Sequence, residues 1–242
     1  MSETSAPETV ATTVTTRRRR RPRREPIALA PWRRTVRGIA RFATVTDFSA
    51  MHLRITVAVL ALLAFLLWRS GWFWAGMVAA FAVMLLEAAA RTLSRESGKP
   101  DAIWEPRLAW LMRWLVPPLW WSAWLLGLSQ SELAFEPVYG LLVFAAILFG
   151  HVTLLVIARI FVARFGIALS AWRPFDSRFR RIAAGRDNDL AVVLLSLLFA
   201  RPDRGIELVA LWTLCTLVVQ ATRLAMANDR RSHKRPVVSW LT

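Results

Sequence analysis

The sequence predicts an all-α integral membrane protein: a six-span transmembrane helix bundle with an N-terminal amphipathic interfacial helix. Three observations predict it. Apolar residues make up 56% of the 242-residue chain, which is high for a soluble protein. They collect in separate runs, and thirteen Trp against a single Tyr fit aromatic anchors at a membrane interface. Nearly all the basic residues fall in alternate connections between those runs, as they do when Arg-rich loops stay in the cytoplasm.

In chain order, residues 1–31 are rich in Ser, Thr, Glu, Ala and Pro and then carry RRRRRPRR at Arg17–Arg24. They have no apolar period and the like charges repel, which predicts a disordered, Arg-rich cytoplasmic tail. Residues 32–50 read as an amphipathic interfacial helix. Trp32, Val36, Ile39, Ala40 and Ala43 recur at helical spacing, with Arg33, Arg34, Arg37 and Arg41 on other faces.

Residues 51–228 form the membrane domain. Its spans are Leu53–Trp68, Gly71–Ala90, Trp110–Leu128, Val138–Phe161, Leu190–Ala200 and Ile206–Ala227. The first two are joined so tightly by Arg69-Ser70 that they must form an antiparallel hairpin. The fifth is short: eleven residues rise ~16 Å against a ~30 Å hydrocarbon core. It either extends through Arg186–Asp189 or Arg201–Pro202, or is shielded by its neighbours. Residues 229–242 are a basic C-terminal tail.

The formal charge of +16 is almost all Arg, with Lys only at Lys99 and Lys234. Such an excess calls for an anionic partner. No aromatic residues interleave the Arg17–Arg24 run to stack bases, so anionic lipid headgroups are the expected partner and nucleic acid is not. The basic loops place both termini in the cytoplasm, with the basic-free loop Ser129–Pro137 on the other side. Cys215 is the only cysteine, which excludes an intrachain disulfide and a cysteine metal site. The chain has no Gly-rich phosphate loop, no HExxH and no GxSxG.

Three groups of residues bear chemistry. Glu87 sits near the cytoplasmic end of the second run, where an ionisable group costs a few kcal/mol and usually faces a partner or a cavity. It can also reach the interface and pair with Arg91 at i,i+4. Asp101 and Glu105 are four apart and, with Glu87, form a candidate catalytic set of oxygen ligands for Mg²⁺; alternatively they balance Lys99 and Arg107. Arg91, Arg173, Arg178, Arg181 and Arg186 are candidates for holding a phosphate or lipid headgroup, because guanidinium forks match phosphate oxygens bidentately. His151 is either a buried hydrogen-bonded residue or a site residue. The Trp-rich stretch Trp104–Trp124 offers either a homodimer seam or a lipid-facing belt.

The layout, with an acidic cytoplasmic loop between the second and third spans, resembles the CDP-alcohol phosphatidyltransferase family of phospholipid-synthesis enzymes. That family carries D-x2-D-G-x2-A-R-x8-G-x3-D-x3-D, whose aspartates hold a metal pair. With Ala90-Arg91 as the A-R, Val83, Leu86, Trp104 and Leu108 stand at the four aspartate positions, and Glu87 and Pro100 at the glycines. The words Pro117-Pro118-Leu119-Trp120-Trp121, Trp172-Arg173-Pro174-Phe175-Asp176-Ser177-Arg178-Phe179 and Arg201-Pro202-Asp203 resemble a bacterial branch of the family. The resemblance implies a bacterial inner-membrane location. With the aspartates replaced, it implies a pseudoenzyme that binds lipid headgroups or acts as a partner subunit, holding no metal. Two alternatives stand: an active transferase in which Glu87, Asp101 and Glu105 hold Mg²⁺ or Mn²⁺, and an unrelated non-enzymatic membrane protein.

Overall fold

The computed structural model describes residues 30–46, 48–97, 105–233 and 237–240. Eight α-helices follow one another: α1 (Ala30–Val45), α2 (Ala50–Arg69), α3 (Phe73–Ser97), α4 (Glu105–Leu128), α5 (Pro137–Phe165), α6 (Pro174–Phe179), α7 (Arg186–Leu198) and α8 (Pro202–Ser232). A single 3₁₀ turn, Leu169–Ala171, precedes α6, and no strand occurs among the described residues. Four helices are long and apolar enough to cross a membrane: α2, α3 over Phe73–Glu96, α5 and α8. The molecule is therefore an all-helical protein built on membrane-grade helices. The N-terminal Arg17–Arg24 run and Asp101 lie outside the described residues, as does the side chain of Glu105.

Several helices outrun the apolar segments that announce them. α3 continues to Ser97 and α8 to Ser232, through Arg91, Arg95, Arg223 and Arg230. Arg and Glu are good helix formers, so the hydrogen-bond ladder propagates past the end of the apolar stripe. α2 starts with a reciprocal cap between Ser49 and His52. The α2–α3 hairpin turns at Gly71, whose φ of 76° suits a residue without a Cβ.

The core is a knot of indoles between α2 and α4. Trp68, Trp120, Trp121 and Trp124 are all buried. Trp68 meets Trp120 and Trp124 edge-on at 5.3 Å and stacks near Trp121 at 6.3 Å. A buried indole N–H needs an acceptor. Trp68 donates to the Phe73 carbonyl at 3.1 Å, Trp120 to Ala61 at 2.9 Å and Trp124 to Pro202 at 3.1 Å. Gly127 lets α4 close on the hairpin, since any Cβ there would collide with the Trp68 carbonyl. The second half of the Trp-rich stretch is thus interior, while Trp110 nearer its start is 47% exposed.

α1 spends its apolar stripe on protein. Val36 and Ala43 pack with Leu53 of α2 and with Ala89, Ala90 and Leu93 of α3, leaving Arg33, Arg34, Arg37 and Arg41 exposed.

Cross-links tie the helix ends into two sets. At one end Arg164 of α5 bonds Asn228 of α8 at 3.1 Å, and Arg54 of α2 reaches Ser94 of α3 at 3.4 Å. At the other, Gln130 donates to the Arg69 carbonyl at 2.9 Å and Tyr139 to Glu207 at 2.9 Å. From the first, Arg-rich end, the chain between α5 and α7 descends along α8. Asp176 pairs with Arg223, the Ala184 N–H donates to Thr216 Oγ1 at 2.9 Å, and Trp212 donates to the Ile182 carbonyl at 2.8 Å. Arg223 to Trp212 is about 16 Å of α8 at the helical rise. The connection follows α8 over that length with Arg178, Arg180, Arg181 and Ile182 still exposed. The 13-residue α7 then begins alongside α8's apolar section.

Candidate functional site

Two clefts open at the Arg-rich end, and both are lined by Arg113 of α4. Arg113 follows a simple logic. It is the only charged residue of the run Trp110–Leu128, and its guanidinium makes no hydrogen bond or ion pair among the described residues.

The larger cleft, ≈ 340 Å³, lies between α4, α5, α6 and α8. Arg113, Arg180 and Arg223 line it, together with Asp176, Ser170 and Gln220 over an apolar floor. Arg223 is gripped from several sides. It holds both oxygens of buried Asp176 at 2.6 and 2.8 Å. Its guanidinium also lies 4.7 Å from the Trp172 ring and 5.4 Å from that of Phe175. Arg173 covers Trp172 as well, at 4.7 Å. Burial first, then the charges of Arg230 and Arg223, pull the Arg173 guanidinium below its ordinary pKa. Arg180 is held by Ser170 Oγ at 3.1 Å. Three cations face one carboxylate that Arg223 already neutralises, so the cleft keeps an excess of positive charge and N–H donors. Such a site suits a phosphate oxyanion.

The smaller cleft is built from Arg54 of α2, Glu87 and Arg91 of α3, and Leu108, Met112 and Arg113 of α4. Glu87 does not stand open in it. Arg91 bonds one oxygen at 2.8 Å across one helical turn, and Arg186 from the start of α7 makes a very short contact with the other. The second bond clamps α7 onto α3. Among the described residues, those around Glu87 do not fit a metal pair. Val83 is fully buried in the apolar core and Leu108 lines the cleft wall where aspartates would be needed, and both Glu87 oxygens are occupied by guanidinium groups. Among the described residues no three His, Cys, Asp or Glu side chains gather.

Of the five arginines expected at a headgroup site, Arg91 and Arg186 bond Glu87, and Arg173 covers Trp172. Arg178 and Arg181 are exposed beside α6 and line neither cleft. The arginines that line the larger cleft are Arg113, Arg180 and Arg223. Arg113 and Arg223 were not among the expected residues, although each carries the signal that marks Glu87, a charge inside or at the edge of an apolar run.

His151 of α5 lies beside the backbone of Arg113 and Trp114. Pro117 and Pro118 have no N–H, so they leave the carbonyls four residues back, on Arg113 and Trp114, without their helical donors. The imidazole sits against that gap, and its buried Nε2 makes no hydrogen bond among the described residues.

Fold and site together define an all-helical membrane protein with a cationic hollow at one end. No family model matches the chain, and no curated protein or solved structure matches it.

Proposed function

We propose that this protein crosses a bacterial inner membrane six times, with both termini cytoplasmic, and holds the phosphate of an anionic lipid headgroup in the cleft of Arg113, Arg180 and Arg223. In this reading α4 and α7 complete the six passes, and the exposed arginines of α1 lie along the cytoplasmic leaflet. The chain keeps the frame of a CDP-alcohol phosphatidyltransferase without its metal-dependent catalysis, as a lipid-binding or partner subunit.

The observation that carries the reading is the connection between α5 and α7, which runs along the apolar section of α8. Irregular backbone at membrane depth is tolerated only where protein buries it or a water-filled cavity meets it. Here the chain near Arg180 and Arg181 is pinned to the apolar section of α8 through Ile182 and Ala184. Of these two, Arg180 lines the ≈ 340 Å³ cleft, which has room for water and an anion.

The test is binding to purified protein. Short-chain phosphatidic acid in detergent and inorganic phosphate are titrated separately. A lipid headgroup site binds the first more tightly, while equal affinity identifies a site for free phosphate. Arg113→Gln and Arg180→Gln should each weaken phosphatidic acid by about tenfold, the loss of a charge-assisted bond. Unchanged affinity in both variants overturns the proposal. An active transferase using Glu87, Asp101 and Glu105 would have to free Glu87 from Arg91 and Arg186. CMP release from a CDP-lipid with Mg²⁺ or Mn²⁺, abolished by Glu87→Gln, would establish that alternative instead.

A further inference from the structure

A second hollow lies on the outer flank of the bundle, between α7 and α8, away from the arginine clefts. It measures ≈ 690 Å³ and is walled by Leu195 of α7, by Phe199 just after α7, and by Leu208, Leu211, Trp212 and Cys215 of α8. Its lining is almost wholly apolar, and its largest side chains are open: Phe199 is 72% exposed and Leu211 59%. The one hydroxyl along it is satisfied, since Ser196 donates to the Val193 carbonyl at 2.7 Å.

Toward its inner end the Trp212 indole is bonded to the Ile182 carbonyl. At the other end stand Arg201 and Arg204, 48% and 60% exposed. Arg201 engages Asp203 at 2.7 Å and Arg204 engages Glu207 at 2.7 Å. These contacts fix the two guanidinium groups at the rim while leaving N–H donors of each unused, because Arg carries five. From Arg204 to Cys215 α8 rises about 16 Å, close to half of a ~30 Å hydrocarbon core. In the six-pass arrangement proposed above, the slot has the depth of one leaflet, an apolar wall along its length, and guanidinium donors at the level of that leaflet's phosphates.

We propose that this groove is a specific site for a phospholipid of the leaflet opposite the arginine clefts. One acyl chain lies along Leu195, Leu211 and Cys215, and the phosphodiester is held by Arg201 and Arg204. The site is independent of the headgroup reading of the Arg113 cleft.

The experiment uses the full chain in nanodiscs containing a phospholipid with a diazirine on one acyl chain. After irradiation, adducts are mapped by mass spectrometry. Adducts should concentrate on the α7 and α8 peptides that contain Leu195 and Leu211. Leu211→Trp, which fills the slot, should remove most of them. Leu141→Trp, on an exposed position of α5, should leave them unchanged. Arg204→Gln should lower the phospholipid retained through purification by about tenfold. Adducts spread evenly over α5, α7 and α8, or unaffected by Leu211→Trp, overturn the proposal. So does efficient Cys215–Cys215 cross-linking between two chains, which would make the groove a seam between copies.

Discussion

Arg223 and Asp176 form the most enclosed ion pair among the described residues, with side chains only 12% and 4% exposed. Two parallel N–H···O bonds hold it, and the Trp172 ring covers the cation. Removing one partner leaves the other charge buried without compensation, which typically costs about 3–5 kcal/mol. Arg223→Ala should therefore lower the thermal midpoint in detergent sharply. The double variant Asp176→Asn, Arg223→Gln should recover much of the loss, because no lone charge remains. A midpoint in Arg223→Ala equal to that of the parent would show that the pair is solvated. Arg113 is the contrasting case. It makes no ion pair among the described residues, so Arg113→Gln should leave the midpoint unchanged while weakening phosphatidic acid by about tenfold. One arginine builds the cleft and the other serves it, and the pair of measurements separates the two roles.

Helix contacts set the next scale. Gly127 permits α4 to lie against the α2–α3 hairpin, with the Trp68 carbonyl where a Cβ would sit. Gly127→Ala should push the two elements apart and cost about 1–3 kcal/mol, as overpacking does. Gly38→Ala, in open space on α1, is the control and should cost nothing measurable by thermal unfolding. At this scale the sequence was readable where polarity varies along the chain. The hairpin, the long second and fourth apolar runs, and the pairing of Glu87 with Arg91 followed from apolar runs and lone charges. The path into α7 did not. Leu190–Ala200 looks short because eleven apolar residues cannot span a bilayer, and the helix does extend through Arg186–Asp189, although it ends at Leu198. The preceding chain is tied to Trp212 and Thr216, through bonds donated by an indole and accepted by a hydroxyl, and no periodicity announces such contacts. The arginines were legible as a cationic group and illegible as individuals. Arg178, Arg180 and Arg181 share one sequence word, but only Arg180 turns to Ser170 and into the cleft, because a short helix sends neighbours to different sides.

At the scale of the whole molecule, the basic residues divide the bundle into two ends. The loop Ser129–Pro137 lies at one end, and the close of α8 at the other. Single cysteines placed at Ser131 and Ser232 in a Cys215→Ser background should be labelled from opposite sides of intact vesicles by an impermeant maleimide. Labelling from the same side would refute the six-pass arrangement. Lateral order in the same bundle depends on the four buried indoles of α2 and α4. Their rings are held 5.3–6.3 Å apart, edge-on in some pairs and nearly parallel in another. Rings fixed in an asymmetric arrangement give circular dichroism in the near ultraviolet, and that signal disappears when side chains begin to tumble even though helices persist. The protein thus carries an internal optical gauge of its own tightness. Trp68→Phe should erase much of the near-ultraviolet band with little change in the far-ultraviolet helix signal. A detergent that loosens the bundle should do the same before any helix melts. The colour of the core, rather than the amount of helix, is the quantity by which an extracted preparation should be judged intact.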